Sequence, residues 1–568
     1  ESMSNRQNSV GRIWRGCASA AAFSLAATMA IAQQSPAPQA QLAAPQVPQL
    51  APQQVAEQAK QLFSLVDELV KFSSDETGFP IKSQVKRQIT SRAAVESYLS
   101  EKFNEDESAK RMQRSEIVLK KFGLLDRDFN LKPFLLSLLK EQIEAYYDSK
   151  TKTVYMLDWV GIEEQKPVLA HELTHALQDQ HSDLEKWNDQ TPEDVSLNSS
   201  GDTDHLAKDE LDTAREAVVE GQATAVMMDY ILKPMGKSLV KDPEVMDFVK
   251  QQMSASEDSP VMARAPLLLS ESMIFPYREG LSFEQDVWMD QGQTAAFAGT
   301  MDHPPTSTWE ILNPREYEKR HVPALPLLPD IHPLLDKLYK PYDIGQVGQL
   351  DLRILTELFG GEQAARNLTP AWDGGIYWAG QRLNAKTPDE QAKTDSIALF
   401  YLSAWKNSAS AQSFAKLYAD ELGRKYSGVK ELRSADFSTG RSSDQEQVYS
   451  TNEGPVVITT RGKLVFVAES FPLDVAGKLT ALVLDAQGTG EMRLAQTPSC
   501  CQPERAQIYD CHPERAQRVE GPVVGTSGAS LANPVQPLQP LTSSLIRFFS
   551  NCGVMKAAVE AVIRAAAK

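Results

Sequence analysis

Residues 166–187 read KPVLAHELTHALQDQHSDLEKW, and this segment constrains the fold more than any other. Its apolar positions, Val168, Leu169, Leu173, Ala176 and Leu177, recur at helical intervals and predict a helix packed into a core. The same helix carries His171, Glu172 and His175. Side chains four apart stand over one face, so both imidazoles leave the helix together. Two histidines and a carboxylate are expensive in an interior unless they bind one another or an ion. The alternative, a solvated surface helix, leaves the apolar stripe without a purpose. The chain is therefore expected to wrap a core around a polar centre.

The spacing H-E-x-x-H suits zinc. Two neutral imidazoles one turn apart can meet one Zn²⁺, and the intervening Glu172 can reach a water activated there instead of the metal. Glu172 is then the candidate general base and acid. A zinc site with an open position needs a third protein ligand. Gln178 and His181 stand where a nearby third histidine motif would continue, and the glycine of that motif is missing. A carboxylate must close the site, and DTAREAVVEGQATAVMMDYIL (212–232) offers Glu216 and Glu220, four apart on one face. Glu220 is the preferred ligand, since Gly221 and Ala223 would let this helix approach the histidine helix closely. Glu216 then orients a ligand imidazole, or is the ligand itself if the register slips by one turn. His181 is expected at the surface or as a cap. His205 is expected to be solvated in an acidic loop, where its Asp neighbours leave a secondary ion site open. His303 (HPPTSTWEI) and Tyr277 (FPYREG) are the candidates for stabilising a developing oxyanion.

Around this centre the sequence reads as an α+β chain, predominantly helical. Residues 1–32 have the form of a signal peptide: Arg6, Arg12 and Arg15 precede an Ala/Leu/Phe/Met run that ends at Ala30-Ile31-Ala32. A Pro/Gln/Ala-rich linker (33–54) follows, then a helical subdomain (55–160) with helices at 55–72, 81–103, 108–125 and 131–147. That subdomain ends in a short strand, TVYML (153–157), whose backbone could align an extended substrate. A catalytic region is placed at 161–430, with helices at 206–232, 281–299, 349–366 and 391–426, the last broken near 407–411. A small β-rich element is placed at 431–490, from VVITT, KLVFVAES and LTALVLD. Residues 491–568 read as a low-complexity tail containing the near-repeat CQPERAQIYD/CHPERAQRVE.

Composition narrows the function. The net charge is −17, which argues against a nucleic-acid partner. Five cysteines, none between 18 and 499, argue against a disulfide scaffold. No second apolar run spans a bilayer, so the chain is expected to be secreted or periplasmic after cleavage, with no transmembrane segment in the mature protein.

His171, Glu172, His175 and Glu220-Gly221-Gln222-Ala223 together resemble the zincin metallopeptidases of the glutamate-ligand kind, the gluzincins. AHELTHALQDQHSDL (170–184), EAVVEGQAT (216–224), HPPTSTWEILNP (303–314), QLDLRILTELFGG (349–361) and AWDGGIYW (371–378) are similar to a poorly characterised group of bacterial and archaeal metallopeptidase-like proteins. The resemblance spans roughly 130–425. It implies a zincin-like core, bound Zn²⁺ and hydrolysis of a peptide or protein substrate. Two positions depart from the common gluzincin pattern: Val219 stands where Asn usually precedes the ligand, and Thr224 where Asp usually follows it. A zinc hydrolase of a non-peptide cell-envelope amide, and a non-catalytic binding protein stabilised by zinc, are the competing functions. The intact Glu172 favours chemistry over a purely structural metal.

Overall fold

A computed structural model describes residues 52–489, apart from 96, 98–105, 143–144, 159, 189, 193–194, 243–244, 247–248, 250–259, 322–323 and 438–443. The expected signal peptide, nearly all of the linker and the expected tail lie outside the described residues. The described residues form an α+β structure with two sheets. No helix among the described residues is long and apolar enough to cross a membrane.

The N-terminal part opens with α1 (Pro52–Thr77), β1 (Lys86–Thr90), α2 (Asp106–Phe122) and α3 (Leu131–Gln142). Then β2 (Ala145–Asp148) and β3 (Thr153–Leu157) form a hairpin, and β1 adds to β3 in parallel. The order is β1-β3-β2, so TVYML is the central strand, paired on both sides. Its backbone is already bonded, which removes it as a template for an extended substrate. Residues 86–90 were expected within a helix. They form an edge strand because the partner that completes them lies far along the chain, and Lys86 and Arg87 are typical edge charges.

The histidine helix is α4 (Ile162–Ser182). Gln165 ties its first turn to the end of β3: its amide nitrogen donates to the Leu157 carbonyl and its oxygen accepts from the Leu157 amide, both at 3.2 Å. Two helices, α5 (Ser199–Lys208) and α6 (Leu211–Leu232), replace the single one expected at 206–232. Nearly all of α6 is buried, because α4 and α7 (Leu267–Gln291) cover opposite sides of it. The contact of α6 with α7 is closest at two glycines. A Cβ on Gly221 would meet the backbone of Gly280 at 2.4 Å, and one on Gly280 would meet the Ala217 carbonyl oxygen at 2.1 Å. Gly221 thus serves α7, not the histidine helix it was expected to admit.

The second sheet has seven antiparallel strands in the order β4-β5-β6-β10-β9-β8-β7. They are β4 (Tyr339–Gln346), β5 (Trp372–Arg382), β6 (Ile397–Trp405), β7 (Lys430–Phe437), β8 (Asp444–Thr451), β9 (Gly454–Arg461) and β10 (Leu464–Glu469). Strands from both sides of residue 430 share it, so the boundary expected there falls inside one sheet. Side chains alternate between faces: Leu399 and Tyr401 pack with α8 (Gln349–Leu368) and α9 (Ser408–Asp420), while Phe400 and Leu402 pack with α10 (Leu473–Ala486). The stretch 397–405 was expected in a helix and LTALVLD in a strand; each is the reverse.

Candidate functional site

Within α4, His171, Glu172 and His175 are buried, as is Glu220 of α6. The rings of His171 and His175 meet edge to face with centroids 4.6 Å apart. Their Nε2 atoms lie 3.0 Å from each other. Glu220 Oε2 is 3.0 Å from His171 Nε2, and its Oε1 is 3.5 Å from His175 Nε2. A tetrahedral ion with bonds of about 2.0–2.2 Å holds its ligand atoms about 3.3–3.5 Å apart. The His175–Glu220 separation of 3.5 Å lies in that range and the two of 3.0 Å fall about 0.3 Å inside it, so the three groups converge on a place such an ion could occupy. Two neutral Nε2 lone pairs 3.0 Å apart also repel unless a proton or a cation lies between them.

Glu172 is the other acid at this centre. One of its oxygens lies with a nitrogen of each imidazole in a set of possible ligand atoms that are all within 4.8 Å of one another. Glu220 lies nearer to both rings and is the nearer candidate ligand. Glu172 Oε2 accepts the Tyr147 amide at 2.8 Å, while Oε1 is buried without a hydrogen-bond partner. Tyr147 therefore links β2 to α4 at two points, since its hydroxyl also donates to Asp179 Oδ2 at 2.7 Å.

Burial decides the charges of these groups first. It pushes the Glu172 carboxyl up to about 8 and the His171 imidazole down to about 4. Burial also opposes a charge on His175, but the adjacent Glu220 carboxylate overrides it and raises the imidazole. Against the same burial, the two rings hold Glu220 well below the usual carboxylate range.

The other expected residues are distributed unevenly. Tyr277 of α7 is buried, and its ring lies nearly parallel to that of His171 with centroids 6.2 Å apart. Glu216 is buried one turn before Glu220. His303 is exposed, and its carbonyl accepts from the Tyr317 hydroxyl at 2.7 Å; no contact joins its side chain to the histidines. His181 lies in the last turn of α4, with Nε2 3.2 Å from Asp302. His205 is a correction. It is buried on α5 with Nε2 3.6 Å from Asp209, because the acidic segment expected as a loop is helical and packs inward.

Tyr147 and Gln178 contact the centre, and Gln222 reaches it through Gln178, without having been singled out as site residues. Gln178 carried a sequence signal, as a polar residue one turn after His175 on the inward stripe. Tyr147 carried none, because the contact uses its backbone amide. No protein-family profile matches the chain, and neither the curated proteins nor the solved structures contain a match.

Proposed function

We propose that this protein is a zinc-dependent metallopeptidase with a zincin-like core, in which His171, His175 and Glu220 hold Zn²⁺ and Glu172 is the general base and acid. The observation that carries the reading is the convergence of two Nε2 atoms and the Glu220 carboxylate within 3.0–3.5 Å of one another. Zinc bound there supplies a Lewis acid that polarises a carbonyl and makes a water acidic near neutral pH. The chain's own residues do the rest. Glu172 keeps Oε2 on the Tyr147 amide, which leaves Oε1 to take a proton and later return it to the leaving amine. Tyr277 packs beside His171 and is the candidate donor to the developing oxyanion. A peptide or protein is the substrate class, and export is the proposed route to it.

Glu172→Gln tests this directly. The variant should keep its zinc and lose about 10²- to 10⁴-fold in cleavage of an unstructured peptide library. Cleavage that survives the substitution refutes the assignment of Glu172. A second reading, a zinc-stabilised binding protein, is favoured by how deeply the four residues lie, none more than 7 % exposed. It gains if the wild type holds zinc and cuts nothing, as does the reading of a zinc hydrolase for an envelope amide.

A further inference from the structure

Gln222 of α6 lies against three acceptors at the end of α7's connection. Its Nε2 is 3.0 Å from the Ala296 carbonyl, 2.9 Å from that of Phe297 and 2.8 Å from Thr300 Oγ1. Ala296 and Phe297 belong to a π-helical turn at Ala295–Gly299, and such turns displace carbonyls from the regular helical ladder. Backbone carbonyls only accept, so the atom facing them must be the amide nitrogen, and Gln222 Oε1 must face the other way.

That orientation fixes the next amide. Gln178 Nε2 is 2.9 Å from Gln222 Oε1 and 3.0 Å from the Val219 carbonyl, two acceptors for its two hydrogens. Turning Gln178 over would set its oxygen against both. Its Oε1 therefore faces His175 Nδ1 at 2.8 Å and can only accept. The hydrogen in that contact must come from His175, and a neutral imidazole with hydrogen on Nδ1 keeps its lone pair on Nε2. Nε2 is the atom turned toward His171 and Glu220.

We infer that Gln178 and Gln222 are positioning residues which fix His175 as the Nδ1–H form and aim its Nε2 at the centre of the site. The carbonyls of the π-turn thereby set the orientation of a ligand on a different helix. A neutral amide does this without adding charge, so Glu220 remains the only anionic ligand in the set. The inference rests on the zinc reading, and the test separates the two.

Zinc affinity is measured by chelator competition on the full chain for wild type, Gln178→Leu and Gln222→Leu. Both variants should bind about 10- to 100-fold more weakly, the usual effect of removing a group that orients a ligand histidine. Imidazole ¹⁵N shifts of histidine-labelled wild type provide a readout that loss of packing would not move, and one that needs no variant to fold. They should report hydrogen on Nδ1 of His175, with zinc on Nε2. Unchanged affinity in both variants, or a His175 without hydrogen on Nδ1, overturns the inference. A wild type that takes up no zinc defeats the zinc reading instead; the metal-free spectrum, recorded at a pH where His175 is neutral, should then show hydrogen on Nδ1, and hydrogen on Nε2 overturns the role of the amides.

Discussion

Glu216 and Glu220 stand one turn apart on a buried helix, and sequence spacing alone leaves either able to close the site. Burial does not separate them, since both are nearly inaccessible. Distance favours Glu220, whose two oxygens lie 3.0 and 3.5 Å from the imidazoles. Glu220→Gln should therefore weaken zinc binding by at least about 10-fold, whereas Glu216→Gln should retain the wild-type stoichiometry. Metal analysis after dialysis checks this, and the opposite ranking would return Glu216 to the ligand set. At this scale the sequence was highly informative for α4, because H-E-x-x-H encodes its own geometry within one turn. Contacts made by backbone atoms, such as the Tyr147 amide on Glu172, leave no mark in a sequence.

Among the elements, the crossing of α6 and α7 sets how Glu220 is presented. Gly221 and Gly280 allow the two backbones to touch, and neither position has room for a methyl group. Gly280→Ala should force the helices apart and cost about 1–3 kcal/mol, seen as a melting point lower by several degrees. An unchanged melting point would mean the crossing relaxes freely. The elements also show why some of the fold was legible and some was not. Amphipathic helices such as α1 and α2 are recognisable because one face stays polar. The strand β6 is buried on both faces, so IALFYLSAW has no alternation and reads as any buried segment. The run LTALVLD of α10 reads locally as a strand, although Val475, Ala476, Leu479, Val483 and Leu484 are buried at helical spacing. The strand β1 needed a partner more than 60 residues away, which a local window does not contain.

At the scale of the whole molecule, two buried polar clusters tie distant elements together, the first joining the helical part to the seven-stranded sheet. Lys121 of α2 reaches Glu453 Oε2 at 2.8 Å and Ser470 Oγ at 2.7 Å, and nearby Lys425 pairs with Glu469, which also accepts from Tyr418 and Tyr426. Removing one member of such a pair strands its partner's charge. Lys425→Met should cost about 3–5 kcal/mol, and adding Glu469→Leu should recover part of that loss. A double variant no more stable than the single one would contradict this account. The second cluster lies between α5–α6 and the start of α8. There Glu210 accepts from Thr308 at 2.6 Å and packs against Gly348, while Asp351 accepts the Gly348 amide at 3.1 Å.

Burial, with the Asp351 charge behind it, raises Glu210 from an ordinary 4.5 to about 8. The folded chain then holds a proton that the unfolded chain has released, so the contribution of Glu210 to stability falls as pH rises from about 4.5 to about 8. Asp343 and Asp351, each raised to about 6 chiefly by burial, act in the same direction over a narrower window. Melting points between pH 5 and 8 should decline less steeply in Glu210→Gln than in wild type. Parallel declines would show that Glu210 does not hold its proton.

The zinc ion proposed at the heart of the helical core is open to metal analysis of the purified full chain. After zinc add-back and dialysis, wild type should retain about one zinc per chain, while His171→Ala and His175→Ala should retain almost none. A correctly folded wild type without zinc, or histidine variants that keep it, would rule out the proposed centre.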